Sequence, residues 1–390
     1  MHIYPVRRST VLAAAFAGSL VFPLSIPAQL FTSFWGMSAA YGVADDGSFV
    51  ASYNPRIFQD DLVVLRPAKG DWSVVARGVG YGISRDAKTV VGAKAPGQEA
   101  FRWTRLEGAA GLGFIPDGIL RSQALAVSGE GGVVAGFGVP ETDFAPEALR
   151  WTRDGGMERL GLLPGSIASV ASGVSDDGST IVGVSWGNRE HAFRWTAEEG
   201  MTALEPDHAG YTRAYAASRD GSVVAGTQWF PGEEQEIFRW TEEGGMMGLG
   251  SLADTLGAIP TGMSADGSTI VGYGGVQKPG FIWTEKDGMR DLLTVMLEDY
   301  QLTNLEGWSY VQPYAISANG RYIVGVGYNS NDPANPEQAF LLERLAPVPE
   351  PSTYGIMGSV ALLGLILIRN RHRMRLASRG RENAERAVRT

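Results

Sequence analysis

Short runs of β-branched and aromatic residues alternate with Asp-Gly, Glu-Gly and Asn-Gly pairs along most of this chain. Period-two runs bounded by such pairs predict strands joined by tight turns. One stretch shows the unit in full. Ala171-Ser172-Gly173-Val174 leads into Asp176-Asp177-Gly178, and Thr180 to Ser185 returns, a β-hairpin whose glycine takes a positive φ. His191-Ala192-Phe193-Arg194-Trp195-Thr196 reads as a third strand with Phe193 and Trp195 on one face. Glu198-Glu199-Gly200 then turns the chain into a fourth, Met201 to Leu204.

The unit recurs seven times. Its Ser-x-Asp-Gly turn, or a variant, starts at Ala44, Ser84, Ser128, Ser175, Ser218, Ser264 and Ser317, at intervals of 40 to 53 residues. The third-strand marker follows in Phe101-Arg102-Trp103, Leu149-Arg150-Trp151, Phe193-Arg194-Trp195, Phe238-Arg239-Trp240 and Phe281-Ile282-Trp283. It degenerates to Phe340-Leu341-Leu342 in unit seven, and unit one offers only Leu62 to Leu65. Four short strands in about 45 residues cannot cover both of their own faces, so the pattern predicts an all-β, seven-bladed β-propeller over residues 29–346. A parallel β-helix would need a shorter period. Unit seven lacks a Gly-Met fourth strand, whereas Leu30 to Met37 is a strand without a unit. We therefore expect the N-terminal strand to complete the last sheet and remove both edges. The insertion 294–309, with Leu293, Met296, Leu297 and Tyr300 at helical spacing, predicts a short helix packed on the rim.

The turn and strand motifs, with His191-Ala192-Phe193 among them, resemble the HAF repeat of bacterial extracellular proteins over nearly all of residues 39–345. The resemblance implies location and architecture, because that family carries no settled biochemical activity.

Both chain ends read as export devices. Arg7-Arg8 precede an apolar run, Val11 to Phe22, and Ala28 offers a cleavage point, so residues 1–28 read as a secretory signal peptide on the general secretory route. At the other end, residues 347–390 hold Pro349-Glu350-Pro351, a charge-free segment 354–368 that reads as a transmembrane helix, and a stop of Arg369, Arg371, Arg373 and Arg375. Arginine is costly to move through a bilayer, which keeps the tail cytoplasmic and places the preceding chain outside. Ser352 to Ile368 would span about 25 Å as a helix, short of the ~30 Å hydrocarbon core, which suits a temporary tether; a plain C-terminal anchor is the alternative. The three parts in this order resemble the PEP-CTERM sorting signal of Gram-negative bacteria. That resemblance implies an exosortase as partner, processing near Pro349-Glu350-Pro351, membrane attachment before it, and delivery to the cell surface or extracellular matrix. The tail to Thr390 is longer than is usual in that family.

The formal charge of −9 includes +2 from Arg7 and Arg8 and +6 from the tail beyond Ile368, so the stretch between them carries −17. Such a surface repels nucleic acid. There is no cysteine, which excludes disulfides, thiol catalysis and thiolate metal sites, and only His191 and His208 lie outside the two ends. The Asp-Gly turns lack the oxygen spacing and terminal Glu of an EF-hand, so they read as hairpin geometry. Their similarity to the sialidase Asp-box is partial, since glycine directly follows the aspartate here. The Arg102, Arg150, Arg194 and Arg239 column reads as structural pairing with a turn or backbone carbonyl, and the Trp column as packing between blades. No cofactor is expected. Binding candidates are instead the dissimilar connections between second and third strands, which combine an aromatic with polar groups: Trp186, Asn188 and Arg189, then Trp229, then Tyr328 and Asn331. The expectation is a non-catalytic binding or scaffold protein associated with exopolysaccharide; the rivals are a carbohydrate-active propeller enzyme and a purely structural matrix component.

Overall fold

Each Ser-x-Asp-Gly turn closes on its own hydroxyl. Ser175 Oγ donates to the Asp177 carboxylate at 2.6 Å and accepts from the Thr180 N–H at 2.9 Å. Ser84, Ser218 and Ser264 repeat both bonds, and Ser317 repeats them with Asn319. Partial burial pulls the Asp177 carboxyl upward, but the Ser175 hydroxyl and the Ser179 N–H and hydroxyl outweigh it and hold it below the usual carboxylate range. The residue after the aspartate lies in the left-handed region, as Gly178 does at φ 77°. Unit two places Ala87 there at φ 61°. Ala87→Gly is expected to raise the urea midpoint by an amount worth about 1 kcal/mol, because it removes a Cβ from a conformation that penalises one.

The computed structural model describes residues 30–344 apart from 35–36, 54–60, 96–98, 115–118, 141–144, 206–209, 251, 253–256 and 276–278. The signal peptide, Pro349-Glu350-Pro351, segment 354–368 and Arg369, Arg371, Arg373 and Arg375 lie outside the described residues. Among the described residues no helix is long and apolar enough to cross a membrane.

Units three to six each form a four-stranded antiparallel sheet in chain order; unit four, for example, runs Ala168–Val174, Thr180–Trp186, Glu190–Thr196 and Gly200–Ala203. Units one and two share one long strand, Ser73–Ile83, and merge into a seven-stranded sheet. Unit seven supplies Trp308–Ile316, Tyr322–Asn329 and Glu337–Glu343, and its fourth strand is Leu30–Phe34, paired antiparallel with Glu337–Glu343 from Leu30↔Glu343 to Phe34↔Ala339. The N-terminal strand thus sits where the unmatched unit seven requires it.

A size match explains the glycine at the centre of the second strand in units two to seven. In units two to seven its glycine faces the large third-strand residue: Gly92↔Phe101, Gly136↔Leu149, Gly183↔Phe193, Gly226↔Phe238, Gly272↔Phe281 and Gly325↔Phe340. Unit one has Ala51 opposite the smaller Val64. A Cβ on Gly183 would lie 2.0 Å from the Val170 carbonyl oxygen and 2.9 Å from the Phe193 ring, so the backbone comes close only because the side chain is missing.

Apolar cores form between units and not within them. One cluster joins Ala135 and Ala148 of unit three to Ile181 and Phe193 of unit four, and the next joins Val182 and Ala192 to Val224 and Phe238 of unit five. The pattern continues to the seam where Val324 and Ala339 of unit seven meet Phe49 and Val64 of unit one, with Phe34 between them. First strands of consecutive units touch throughout, and Trp308–Ile316 of unit seven touches Met37–Val43 of unit one. The turns are linked as well. Gly129 N–H donates to Asp176 O, Asp177 to Arg219 O, Arg219 to Ala265 O and Ala265 to Ala318 O, while Asn319 returns to the Asp45 carboxylate at 2.7 Å.

The expected short helix is Leu292–Glu298, capped by the Asp291 side chain on the Thr294 N–H. It buries Leu292, Val295 and Met296, whereas Leu297 is 49% exposed. Leu293 and Tyr300 pack against the same core, so of the residues whose spacing predicted the helix only Leu297 turns outward.

The arginine column meets expectation in part. Arg102 Nε donates to the Gly131 carbonyl of the next turn at 3.1 Å, while Arg102, Arg150 and Arg194 pair with Glu107, Glu158 and Glu199 of their own outer hairpins. Arg102 and Arg150 also lie over the next unit's tryptophan, Trp151 and Trp195, at 5.9 and 5.6 Å.

Candidate functional site

Second strands run away from the Ser-x-Asp-Gly turns and carry aromatic residues at their far ends: Trp186, Trp229 and Tyr273 close the strands of units four to six, and Tyr328 precedes the last residue in unit seven. Exposed Asn188 and Arg189 follow Trp186 in the connection to Glu190. The carboxylate of Glu190 receives both Nε and an Nη of Arg213, the first at 2.6 Å, across the seam between units four and five. Arg213 lies 5.7 Å from the Trp229 ring centre, and Trp229 stacks on Tyr211 at 5.1 Å with 10° between planes. The Glu190 hydrogen bonds, with its charge, raise the Arg213 guanidinium above its ordinary value, so the cation is permanent at any physiological pH.

Two of the three expected loops are therefore joined. Asn188 and Arg189 adjoin the Glu190 end of the ion pair, and Trp229 lies against Arg213 at the other. Tyr328 and Asn331 belong to a separate arrangement in unit seven. Tyr328 stacks on Tyr310 at 5.9 Å, and Asn331 donates to the Glu306 carbonyl at 3.0 Å. Tyr211, Arg213 and Tyr310 are absent from the sequence reading.

A second group of residues escaped the sequence reading. Each first strand carries a register shift at one equivalent position, three residues before the turn serine or, in unit one, Ala44. A bulged residue is left out of the ladder and its side chain is re-aimed. Tyr41, Tyr81, Tyr215 and Tyr314 occupy four of these positions, and Leu125, Ser172 and Thr261 the other three; all seven are half-buried. Tyr41 and Tyr314 stack at 5.5 Å across the seam between units seven and one, and Tyr273 lies 5.4 Å from Tyr314. Burial raises the hydroxyls of Tyr41, Tyr81, Tyr273 and Tyr314 above the ordinary phenol value, with neighbouring tyrosines adding to the rise at Tyr41, Tyr273 and Tyr314. These phenols are neutral at physiological pH.

Below this tier, at the level of the linked turns, the variable turn residues form an ion cluster. Arg85 of unit two bonds Asp176 of unit four at 2.6 Å, passing Gly129 of unit three, and Arg219 approaches the same carboxylate at 3.8 Å. Any Cβ on Gly129 would fall 1.8 Å from Asp176 Oδ1. Asp45 stands 3.9 Å from Arg85. Burial raises the Asp45 carboxyl, and the Asn319 N–H and Arg85 only partly offset this. Among the described residues no group of three or more His, Asp or Glu side chains is placed to hold a metal ion.

No protein-family model matches the chain, and no curated protein does. Among solved structures it is similar to an oligogalacturonate lyase in complex with manganese, at 11% identity and a TM-score of 0.55, covering 82% of this chain and 97% of that one. It is also similar to a prolyl endopeptidase (10% identity, TM-score 0.52, 80% of this chain and 51% of that one). A puromycin hydrolase mutant complexed with PGG is a third (15% identity, TM-score 0.51, 75% and 50%). With the successive four-stranded antiparallel sheets, these likenesses place the fold among the β-propellers. At such identities they speak for the fold alone.

Proposed function

We propose that this chain is an exported, non-catalytic HAF-repeat protein, a closed seven-bladed propeller that binds polysaccharide at the cell surface. The seven-stranded sheet counts as two blades sharing Ser73–Ile83. The proposal includes a signal peptide over 1–28 and a PEP-CTERM signal over 347–390 handled by an exosortase, with membrane attachment ending at processing.

One observation carries the binding reading: the seam between units four and five holds an aromatic pair fixed in advance by an ion pair. Sugar rings present C–H faces that pack on aromatic planes and hydroxyls that need oriented polar groups; Trp229, Tyr211, Arg213 and Glu190 supply both. Fixing the side chains before the ligand arrives reduces the ordering cost of binding. Retaining and inverting glycosidases instead need two carboxyl groups across a scissile bond, one of them free to protonate the leaving group. Glu190 is already engaged by two guanidinium nitrogens.

The purified exported protein is expected to bind the polysaccharide of the producing cells without releasing sugars or reducing ends. Trp229→Ala should weaken that binding about tenfold, the equivalent of ~1.4 kcal/mol. Sugar release that disappears on substitution of a single acidic residue would overturn the non-catalytic reading in favour of a carbohydrate-active enzyme. Absence of binding to any matrix fraction would favour a structural component.

A further inference from the structure

We propose that the tyrosine tier is a second binding site, which takes the terminal sugar of a polysaccharide chain and not an internal segment. The inference rests on the polysaccharide reading above and extends it from the blade seam to the axis.

Three observations carry it. The first strands touch one another from unit to unit and back to unit one, so they border the axis, and the bulge in each lifts one side chain out of the ladder at the same depth. Four of those side chains are tyrosines, burial raises the hydroxyls of Tyr41, Tyr81 and Tyr314, and Tyr273 joins them from a second strand. Aromatic faces beside neutral hydroxyl donors and acceptors suit a polyhydroxylated ring.

The second observation is charge. An organic cation would also favour tyrosine faces, and Asp61 and Glu337 bear on Tyr41 and Tyr314, but the bulge positions themselves carry no carboxylate and the aspartates one level below are engaged by Arg85 and Arg219. A neutral sugar needs no counter-charge there.

The third is access. On the turn face, backbone hydrogen bonds link the turns, and Arg85 reaches past Gly129 to Asp176. We read this as a closed floor, which leaves the opposite face as the entrance. A polymer cannot thread a blind hole, so only a chain end reaches the tyrosines.

The test is a competition. The purified exported protein binds immobilised polysaccharide from the producing cells. Competitors are the same polysaccharide intact and after partial acid hydrolysis, compared at equal sugar mass. Terminal recognition predicts that inhibition rises in proportion to the number of chain ends. Tyr81→Leu and Tyr314→Leu proteins with unchanged melting midpoints should lose that gain, while Trp229→Ala keeps it. Inhibition that follows sugar mass alone, or falls as chains shorten, overturns the axial site and leaves surface binding intact. No binding of the intact polymer overturns both readings. Should the tyrosine variants fail to fold, the unmodified protein still decides by the dependence on chain ends.

Discussion

Deleting residues 30–34 is expected to abolish cooperative unfolding, leaving a protein that aggregates or melts over a broad range. That strand fills both sides of the closing seam. Phe31 meets Trp308 edge-on at 5.0 Å and Phe340 at 5.7 Å, while Phe34 meets Phe49 at 5.0 Å and Trp72 at 5.7 Å. Both phenylalanines are 7% exposed. Truncating either one to alanine should cost about 3–5 kcal/mol, against a total stability of order 5–15 kcal/mol. Removing both, with the hydrogen bonds to Glu337–Glu343, exposes an edge in unit seven and uncovers the core it shares with unit one. The measurement is a urea titration followed by fluorescence. A sharp transition at the unmodified midpoint would contradict the packing described above.

Gly226→Ala is expected to be the most damaging single-methyl addition in the chain's middle units. The new Cβ would lie 2.1 Å from the Arg213 carbonyl oxygen and 2.3 Å from the Phe238 ring. Neither can retreat, since one is backbone of the first strand and the other is fully buried. Overpacking of this kind costs about 1–3 kcal/mol and sometimes more. Unit one shows the compensation, because Ala51 there faces a valine. Gly226→Ala with Phe238→Val should therefore recover part of the loss. The comparison substitution is Gly200→Ala, where nothing lies within 4 Å and only the φ of 72° is penalised; it should cost about 1 kcal/mol. Equal midpoints for Gly226→Ala and Gly200→Ala would refute the size-match account.

What the sequence revealed, and what it hid, follows from the range of the interactions. Turns and hairpins depend on neighbours in the chain, so Asp177-Gly178 could be read directly, and Leu30 to Phe34 was legible as a strand left over beside a unit one strand short. The sharing of Ser73–Ile83 by two units could not, because nothing local marks where one sheet stops. The candidate site was half legible. Trp186 and Trp229 stood out as aromatics in dissimilar connections, but Glu190 and Arg213 meet across a seam, and pairing at 23 residues' separation leaves no periodic trace. The tyrosine tier was hidden for another reason. Its side chains are placed by bulges, and a bulge belongs to the pairing of two strands and not to either alone. A regular signal was nonetheless present, in the recurrence of tyrosine three positions before the turn at 41, 81, 215 and 314.

Ring closure is the claim on which the blade seams, the axis and both proposed sites depend, and the absence of cysteine makes it directly measurable. Thr32 and Leu341 face each other across the closing strand pair. Antiparallel partners stand about 4.5–5.5 Å apart at Cα, within the reach of a disulfide. In a Thr32→Cys, Leu341→Cys protein, oxidation should yield one intramolecular crosslink, seen by mass spectrometry of the digested monomer. Free thiols after oxidation, or a disulfide formed only between chains, would contradict the closed ring.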